Sequence, residues 1–443
     1  MRNESNGNIF NYKGNTNQRE SMLGFMIERM TRKKLANIEF SEIDPELPKD
    51  KDEIGLYIHI PFCKMPCPFC AYIRYPWNPK LERSYVEAVK KEIDLYRKVL
   101  GDVKINSIYV GGGTPTIMSE GVADILKHVR NAFDVSSDIG VESNPDDLNE
   151  KTLALLLDAG VSKLSMGVQS FNDEVLKGIG RRSHDTKQAL DAIELVMSND
   201  GFDTFSVDLM FSLPTQSLAD LKKDLDIVIE KDLPQITTYP LLLFPYCKMY
   251  RDVEEHKIKL PDKKVEKKMY ELIVNSFVDA GYEPCSVWSF AKSGVDKYGS
   301  VERDEYIGIG AGAMSNVGEY FYTNTASTEE YIQTLGKGSL PITIGAKSSL
   351  DGTAARWLSM SLYEMGFDKR EFKKRFGMDV DEKFKSFLRW LKLLGVIKVE
   401  GDHVKVTRKG MHAIHLMTKT FLLTFVAKAC VACIENPKPL RLD

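Results

Sequence analysis

The sequence has almost no charge of one sign to spare, since 60 basic residues stand against 63 acidic ones for a formal net charge of -3. That balance gives no electrostatic reason for nucleic acid or an anionic membrane to be the main partner. Long apolar runs are missing too. No stretch reaches the ~18 consecutive apolar residues of a membrane span, and the opening MRNESNGNIFNYKGNTNQRE is polar and Asn-rich where a secretory signal would carry an apolar core. The expectation is a cytoplasmic protein with no stable membrane insertion and no nucleic acid partner. Cysteine is scarce: seven in 443 residues, an odd number and too few to staple a chain of this size with disulfides. Three of those seven fall within eight residues. In a reducing compartment clustered thiols point to metal or redox chemistry.

The chain is 43% hydrophobic and longer than one core supports, because single cores stop growing near ~250 to 300 residues. Residues 1–50 read as a polar N-terminal extension, 51–345 as an α/β unit and 346–443 as a C-terminal domain with a tail. Apolar β-rich runs (LYIHI, INSIYV, IGVESN, VSKLSMGVQS, TFSVDLMFSLP, ITTYPLLLF) alternate with helical patterns such as ERSYVEAVKKEIDLYRKVL. This alternation predicts a parallel sheet with helices outside it, because parallel strands need a crossover. Periodicity does not say whether the sheet closes into a barrel. After residue 345 the pattern becomes helices followed by the hairpin VIKVEGDHVKV, turned around Gly401. That resembles a winged helix, read as a packing or substrate-covering domain given the lack of basic excess.

The clustered cysteines are Cys63, Cys67 and Cys70 in YIHIPFCKMPCPFC, just past the first strand. A closed zinc site takes four protein ligands, whereas a cluster that activates a substrate keeps one iron open. Three ligands suit the second case. A loop at the carboxyl end of a parallel strand is where such folds place their sites, and Pro61, Pro66 and Pro68 restrict it. The glycines of GGGTP (residues 111–115) follow a strand and let backbone come close to a ligand. Glu142, Gln169, Arg181 and Asp208 fall at or just past strand ends. Each alone is equally explained as a satisfied polar residue there.

Together these motifs resemble the radical S-adenosylmethionine (SAM) superfamily. Within it they resemble the HemN-like branch that holds oxygen-independent coproporphyrinogen III oxidase, a haem chaperone and methyltransferases. The resemblance runs from about Leu56 through the winged-helix-like end. It implies a partial (β/α)6 barrel with a C-terminal winged-helix-like helical domain, a [4Fe-4S] cluster on Cys63, Cys67 and Cys70, and two SAM molecules. It further implies that Tyr57 lies beside the cluster as a catalytic residue, with Phe69 next to the third cysteine. Gly112, Gly113 and Thr114 would cradle the methionine part of SAM, Glu142, Arg181 and Asp208 would contact the first SAM, and Gln169 and Met210 would face a second SAM or the substrate. A monomer served by a flavodoxin or ferredoxin as electron donor completes the implied picture.

The stretch before Tyr57 does not look like the segment with which the oxidase holds its tetrapyrrole, and DKYGSVERDEYIGIGAGAMS lacks the His-Asn motif of the chaperone. The remaining reading is a methyltransferase using two SAM molecules on an aromatic, quinone, heterocyclic or tetrapyrrole-like small molecule. Oxidative decarboxylation of coproporphyrinogen III and non-enzymatic haem transfer are its alternatives. A flat substrate would stack on Tyr239, Phe244, Tyr246, Trp288 or Tyr306, residues that serve equally well to fill a core. The pairs Cys430/Cys433 and His412/His415 read as packing, and Cys247 and Cys285 as small buried apolar residues.

Overall fold

Six strands and six helices alternate between residues 53 and 279 of the computed structural model, which describes residues 29, 38–47, 51–136, 138–299 and 304–439. Most of the expected polar extension (residues 1–28, 30–37 and 48–50) lies outside the described residues. The strands are β1 (Glu53–Ile60), β2 (Lys104–Gly112), β3 (Ile139–Ser143), β4 (Lys163–Gln169), β5 (Thr204–Phe211) and β6 (Gln235–Pro240). Each pairs in parallel with its sequence neighbour. The helices are α1 (Pro79–Leu100), α2 (Ser119–Ala132), α3 (Glu150–Asp158), α4 (Thr186–Met197), α5 (Leu218–Glu230) and α6 (Lys263–Asp279).

Local chemistry explains these boundaries. Asn78 caps α1 through the Lys80 N–H, and Tyr85, Val89, Ile93 and Tyr96 bury one face of that helix at helical spacing. Strand residues from both faces, such as Leu56, Ile58, Val141, Leu164 and Val207, are almost fully buried, as expected when helices cover one side of a parallel sheet and side chains fill the other.

The sheet does not close. At one edge β6 meets the antiparallel β7 (Ser289–Ala291). At the other, β1 pairs with the parallel β8 (Tyr306–Ile309), and antiparallel strands β9 (Met314–Val317), β10 (Tyr320–Asn324) and β11 (Ile342–Lys347) follow. The result is the expected α/β partial barrel, extended on its β1 side by strands that sequence periodicity did not predict. Ser41 bridges Gly345 of β11, which brings the described end of the N-terminal segment onto that edge.

Beyond β11 come α7 (Leu350–Tyr363), β12 (Gly366–Asp368), α8 (Lys369–Phe376), α9 (Lys385–Leu393), β13 (Ile397–Glu400) and β14 (His403–Val406). The strands pair in the order β12-β14-β13, and Gly401 turns the hairpin at φ +62°. Trp357 packs against Phe367, Phe372 and Phe376 between them. This is the winged-helix-like arrangement read from the sequence. A helix then runs from Arg408 to Glu435 with a mean hydropathy of 1.6 in its most apolar window, long and apolar enough by length and composition to cross a membrane. The sequence reading sought an unbroken apolar run and missed this helix because His412, His415, Lys419 and Lys428 interrupt it. Here 44% of that window is buried against the protein. Lys419 pairs with Glu266 of α6 at 2.6 Å, His415 lies 3.4 Å from the same carboxylate, and Trp288 donates to His415 Nδ1 at 2.9 Å.

On the opposite side of the barrel Glu92 of α1 is fully buried. It accepts hydrogen bonds from Gly310 N–H (2.9 Å), Asn324 Nδ2 (2.7 Å) and the Tyr331 hydroxyl, tying α1 to the turn after β8 and to β10. Burial pushes its carboxyl from 4.5 up to about 7, against those three donors. Between these values the folded state keeps a proton that the unfolded state has released. Stability from this group is therefore complete below about pH 4.5 and is lost as pH rises through about 7. In Glu92→Gln that decline should shrink by on the order of 3 kcal/mol, although the amide sets its own donors against those of its neighbours and lowers stability at every pH. Urea titrations at about pH 5 and about pH 7.5 check this, and equal slopes in both proteins would show that Glu92 does not titrate in this window.

Candidate functional site

Residues 61–76 leave β1 and fold over the carboxyl ends of the strands. The loop closes at its base, where Phe62–Cys63 pairs in parallel with Tyr75–Pro76, and Tyr75 N–H and Trp77 N–H donate to Pro61 O (2.7 Å) and Cys63 O (2.8 Å). Within it, each carbonyl from Cys70 to Ile73 has a donor: Cys247 Sγ on Cys70 O (2.9 Å), the Tyr246 hydroxyl on Ala71 O, Arg74 Nη1 on Tyr72 O (3.1 Å) and His59 Nε2 on Ile73 O (2.8 Å). Arg74 also reaches Cys67 O. Cys63, Cys67 and Cys70 are free thiols, Cys67 buried and the other two partly so.

Two polar side chains meet the sulfurs. Thr114 Oγ1 donates to Cys63 Sγ at 3.6 Å and Arg181 Nη1 to Cys67 Sγ at 3.4 Å. Burial pushes the Cys63 thiol up to about 12, opposed by Thr114 and reinforced by the other two sulfurs; burial also raises Cys70. Among the described residues no three or more His, Cys, Asp or Glu side chains close on a single metal ion. Three free cysteines on one loop supply three thiolates, the number that leaves one iron of a cuboidal cluster open, where a structural zinc takes four protein ligands. The donor set fits a [4Fe-4S] cluster.

Beside the loop lies a half-buried acidic pair. Glu142 on β3 takes the Tyr109 hydroxyl on one oxygen and Gly112 N–H on the other (3.0 Å). Burial raises its carboxyl, and it lifts Asp208 on β5 well above the usual carboxylate range, with the charge of Glu142 adding to the effect. Arg181, also buried, gives Nη2 to Asn144 Oδ1 (2.7 Å) and Gly167 O (2.6 Å), while its Nε is buried without a partner. Gln169 ends β4 at φ +73°, a strained conformation for a residue with a Cβ, and accepts the Tyr239 hydroxyl at 2.8 Å. Tyr57 donates to His59 Nδ1 at 2.7 Å, since His59 Nε2 must carry the proton given to Ile73 O. Burial lowers His59 to about 4, so it stays neutral.

The GGGTP turn is built differently from its reading in the sequence. An added Cβ would lie 2.8 Å from the Glu142 carboxylate at Gly111, 2.5 Å from the His59 ring at Gly112 and 2.4 Å from Phe62 O at Gly113. The glycines are thus demanded by the protein's own close packing. The N–H groups of Gly112, Gly113 and Thr114 are taken by Glu142, Ile60 O and Phe62 O, so a ligand would meet this turn through carbonyl oxygens rather than N–H groups.

The structure brings together Tyr57, the three cysteines, Thr114, Glu142, Gln169, Arg181, Asp208 and Tyr239. Phe69 and Met210 join Cys67 and Leu213 in an apolar cluster that walls the buried thiol. Four of the five substrate candidates lie elsewhere. Phe244 packs with Cys247, Ala427 and Cys430 behind the cysteine loop, and the Tyr246 hydroxyl is spent on Ala71. Trp288 is locked in the core on His415. Tyr306 sits at the amino end of β8 opposite Gly55, away from the loop. Sequence reasoning missed His59, Tyr109, Asn144, Tyr72 and Arg74. Only His59 had an available signal, two residues from Tyr57 and therefore on the same face of β1.

The Radical SAM superfamily pattern matches residues 57–228. The heme chaperone HemW of Bacillus subtilis is 29% identical over 362 residues, covering 80% of this chain and 95% of that protein. The heme chaperone HemW of Lactococcus lactis is 30% identical over 283 residues, covering 62% of this chain and 73% of that protein. Among solved structures, coproporphyrinogen III oxidase (HemN) from Escherichia coli matches with a TM-score of 0.73 at 22% identity, covering 86% of this chain and 94% of that one. This last likeness is one of fold.

The close approach at Gly113 is open to measurement. Gly113→Ala places a methyl group 2.4 Å from Phe62 O, a backbone atom that cannot swing aside, and should cost about 3 kcal/mol or more. Gly101→Ala, at φ +67° with nothing within 4 Å, should cost only roughly 1 to 2 kcal/mol. Chemical denaturation compares the two, and equal losses would mean that crowding is not what requires glycine at 113.

Proposed function

The chain belongs to the HemN-like branch of the radical SAM superfamily, and on that premise we propose that it holds a [4Fe-4S] cluster on Cys63, Cys67 and Cys70, binds SAM beside it, and uses this centre in handling a tetrapyrrole. The observation that carries the reading is Arg181, a buried cation 3.4 Å from Cys67 Sγ whose Nε has no partner, set beside the half-buried carboxyl groups of Glu142 and Asp208. SAM carries a carboxylate, an ammonium and ribose hydroxyls. Arg181 suits the first, and the two acids suit the others. When bound, the reduced cluster supplies the single electron that splits SAM into methionine and a 5'-deoxyadenosyl radical.

The remaining work falls to side chains of this chain. Tyr109 and Gly112 N–H fix the Glu142 carboxylate, Arg181 supports negative charge at the Cys67 sulfur, and Phe69, Met210 and Leu213 keep water from that thiol. Tyr57 is oriented by a neutral His59 that is itself anchored on the cysteine loop.

Haem transfer is the favoured tetrapyrrole role, because relatives near 30% identity, those of Bacillus subtilis and Lactococcus lactis among them, are named heme chaperones. Porphyrinogen oxidation is the second reading, supported by relatives at 24% identity named oxygen-independent coproporphyrinogen III oxidase. Methyl transfer with two SAM molecules, the leading expectation from the sequence, finds no counterpart in these names.

Anaerobic reconstitution, followed by SAM and dithionite with hemin or with coproporphyrinogen III, separates these readings. About four irons per chain, 5'-deoxyadenosine on reduction, a hemin Soret band and no S-adenosylhomocysteine are expected. A decarboxylated porphyrin would select the second reading, S-adenosylhomocysteine with a mass gain would restore methyl transfer, and zinc in place of iron would remove all three.

A further inference from the structure

The cysteine loop carries three exposed large apolar side chains, Met65, Tyr72 and Tyr75. Tyr75 is spoken for, its hydroxyl fixed on Ala326 O at 2.9 Å. Tyr72 is different. It is 47% exposed, and its hydroxyl lies within electrostatic reach of Glu142, Tyr239, Cys70 and Asp208. Its backbone cannot yield, because its own carbonyl and those on either side are all held by donors. An aromatic face kept in water on so rigid a support is available to stack on a flat ligand.

A second observation bears on what lies on that face. Arg74, two residues on, gives its Nη groups to the carbonyls of Tyr72 and Cys67, and its Nε is buried without a partner. Among the described residues no carboxylate forms an ion pair with Arg74, so its positive charge beside Tyr72 is not neutralised by an acidic side chain. An acidic ligand would meet that need.

We propose that Tyr72 is the stacking platform for a flat, acidic macrocycle, the tetrapyrrole of the proposed function, which lies across the barrel mouth with a carboxylate toward Arg74. This inference rests on the tetrapyrrole reading above. The macrocycle would cover the exposed face of the ring, while the held backbone of residues 71–73 keeps the platform in place.

The test is a hemin titration of the anaerobically reconstituted full chain and of its Tyr72→Phe and Tyr72→Ala variants, followed at the Soret band. Tyr72→Phe keeps the face and should bind within about twofold of the parent with the same Soret position, which separates stacking from ligation of iron by the phenol. Tyr72→Ala should bind about tenfold more weakly, the range of an aromatic pair, with cluster absorbance and thermal stability unchanged. Equal hemin affinity in all three proteins overturns the assignment and leaves the tetrapyrrole reading standing. A parent protein that takes up cluster and SAM but no hemin overturns both. Slower reduction of Tyr72→Ala by flavodoxin with hemin affinity unchanged would also overturn it, by showing that a protein partner uses this face.

Discussion

Three cysteines can wait for a cluster only if the backbone between them is held by something other than the cluster. Ordering a residue costs roughly 1 to 2 kcal/mol of backbone entropy, and a free loop of this length would draw all of it from metal binding. Here the work is distributed. His59 comes from β1, Tyr246 and Cys247 from the segment after β6, and Arg74 from the loop itself, and each takes a loop carbonyl. The last helix supports that arrangement at one remove, since Ala427 and Cys430 pack on Phe244 and Cys247. Ile73 in turn contacts the group that includes Cys433 and Ala326. The CxxC of the tail thus serves packing behind the loop, and the barrel and the C-terminal helix hold one structure between them.

The electrostatics of the mouth follow from the same confinement. Glu142 and Asp208 are both raised by burial, Asp208 also by the charge of Glu142, and Arg181 is held charged against burial by the nearby Cys67 sulfur. Buried charges of this kind are costly unless something balances them. Arg181 keeps an incomplete set of partners, its Nε being an orphan. A zwitterionic ligand with a carboxylate at one end and an ammonium and hydroxyls at the other supplies the missing partner.

What the sequence shows, and what it hides, divides along sequence distance. The parallel strands were legible because strands buried on both faces are continuous apolar runs. INSIYV grew only to Lys104–Gly112, and the helical pattern ERSYVEAVKKEIDLYRKVL lies within Pro79–Leu100. The cysteine spacing identified the site because its chemistry is local. Residues 283–347 were not legible, because their strands run only two to six residues, too short for a periodicity to show, and two of them, β7 and β8, join the sheet through partners far off in the chain. The pairing of Trp288 with His415 and of Glu92 with Gly310 and Asn324 is likewise invisible to periodicity. The aromatics after β6 were placed correctly at a strand end, but a strand end does not say whether the chain then turns toward the mouth or behind the loop. Phe244 and Tyr246 turn behind.

One argument from the sequence loses force for the same reason. The segment that lacks the His-Asn motif weighed against haem handling, on the assumption that it reaches the ligand. Its residues 297 and 298 lie beneath the barrel instead: Lys163 Nζ donates to Lys297 O (3.0 Å), and Gln235 exchanges hydrogen bonds with Tyr298 through Nε2 (2.6 Å) and Oε1 (2.9 Å). Lys163 and Gln235 are the first residues of β4 and β6, so this contact lies at the amino ends of the strands, far from the cysteine loop. The Tyr298 ring rises into the barrel beside Tyr109, with centroids 5.4 Å apart, through space that exists only because residue 140 is glycine, where a Cβ would sit 2.2 Å from the ring. The objection is weakened for that stretch alone, because residues 304–315 of the same segment climb β8 to the other end of the strands, where a Cβ at Gly312 would lie 3.0 Å from Ile73 of the cysteine loop.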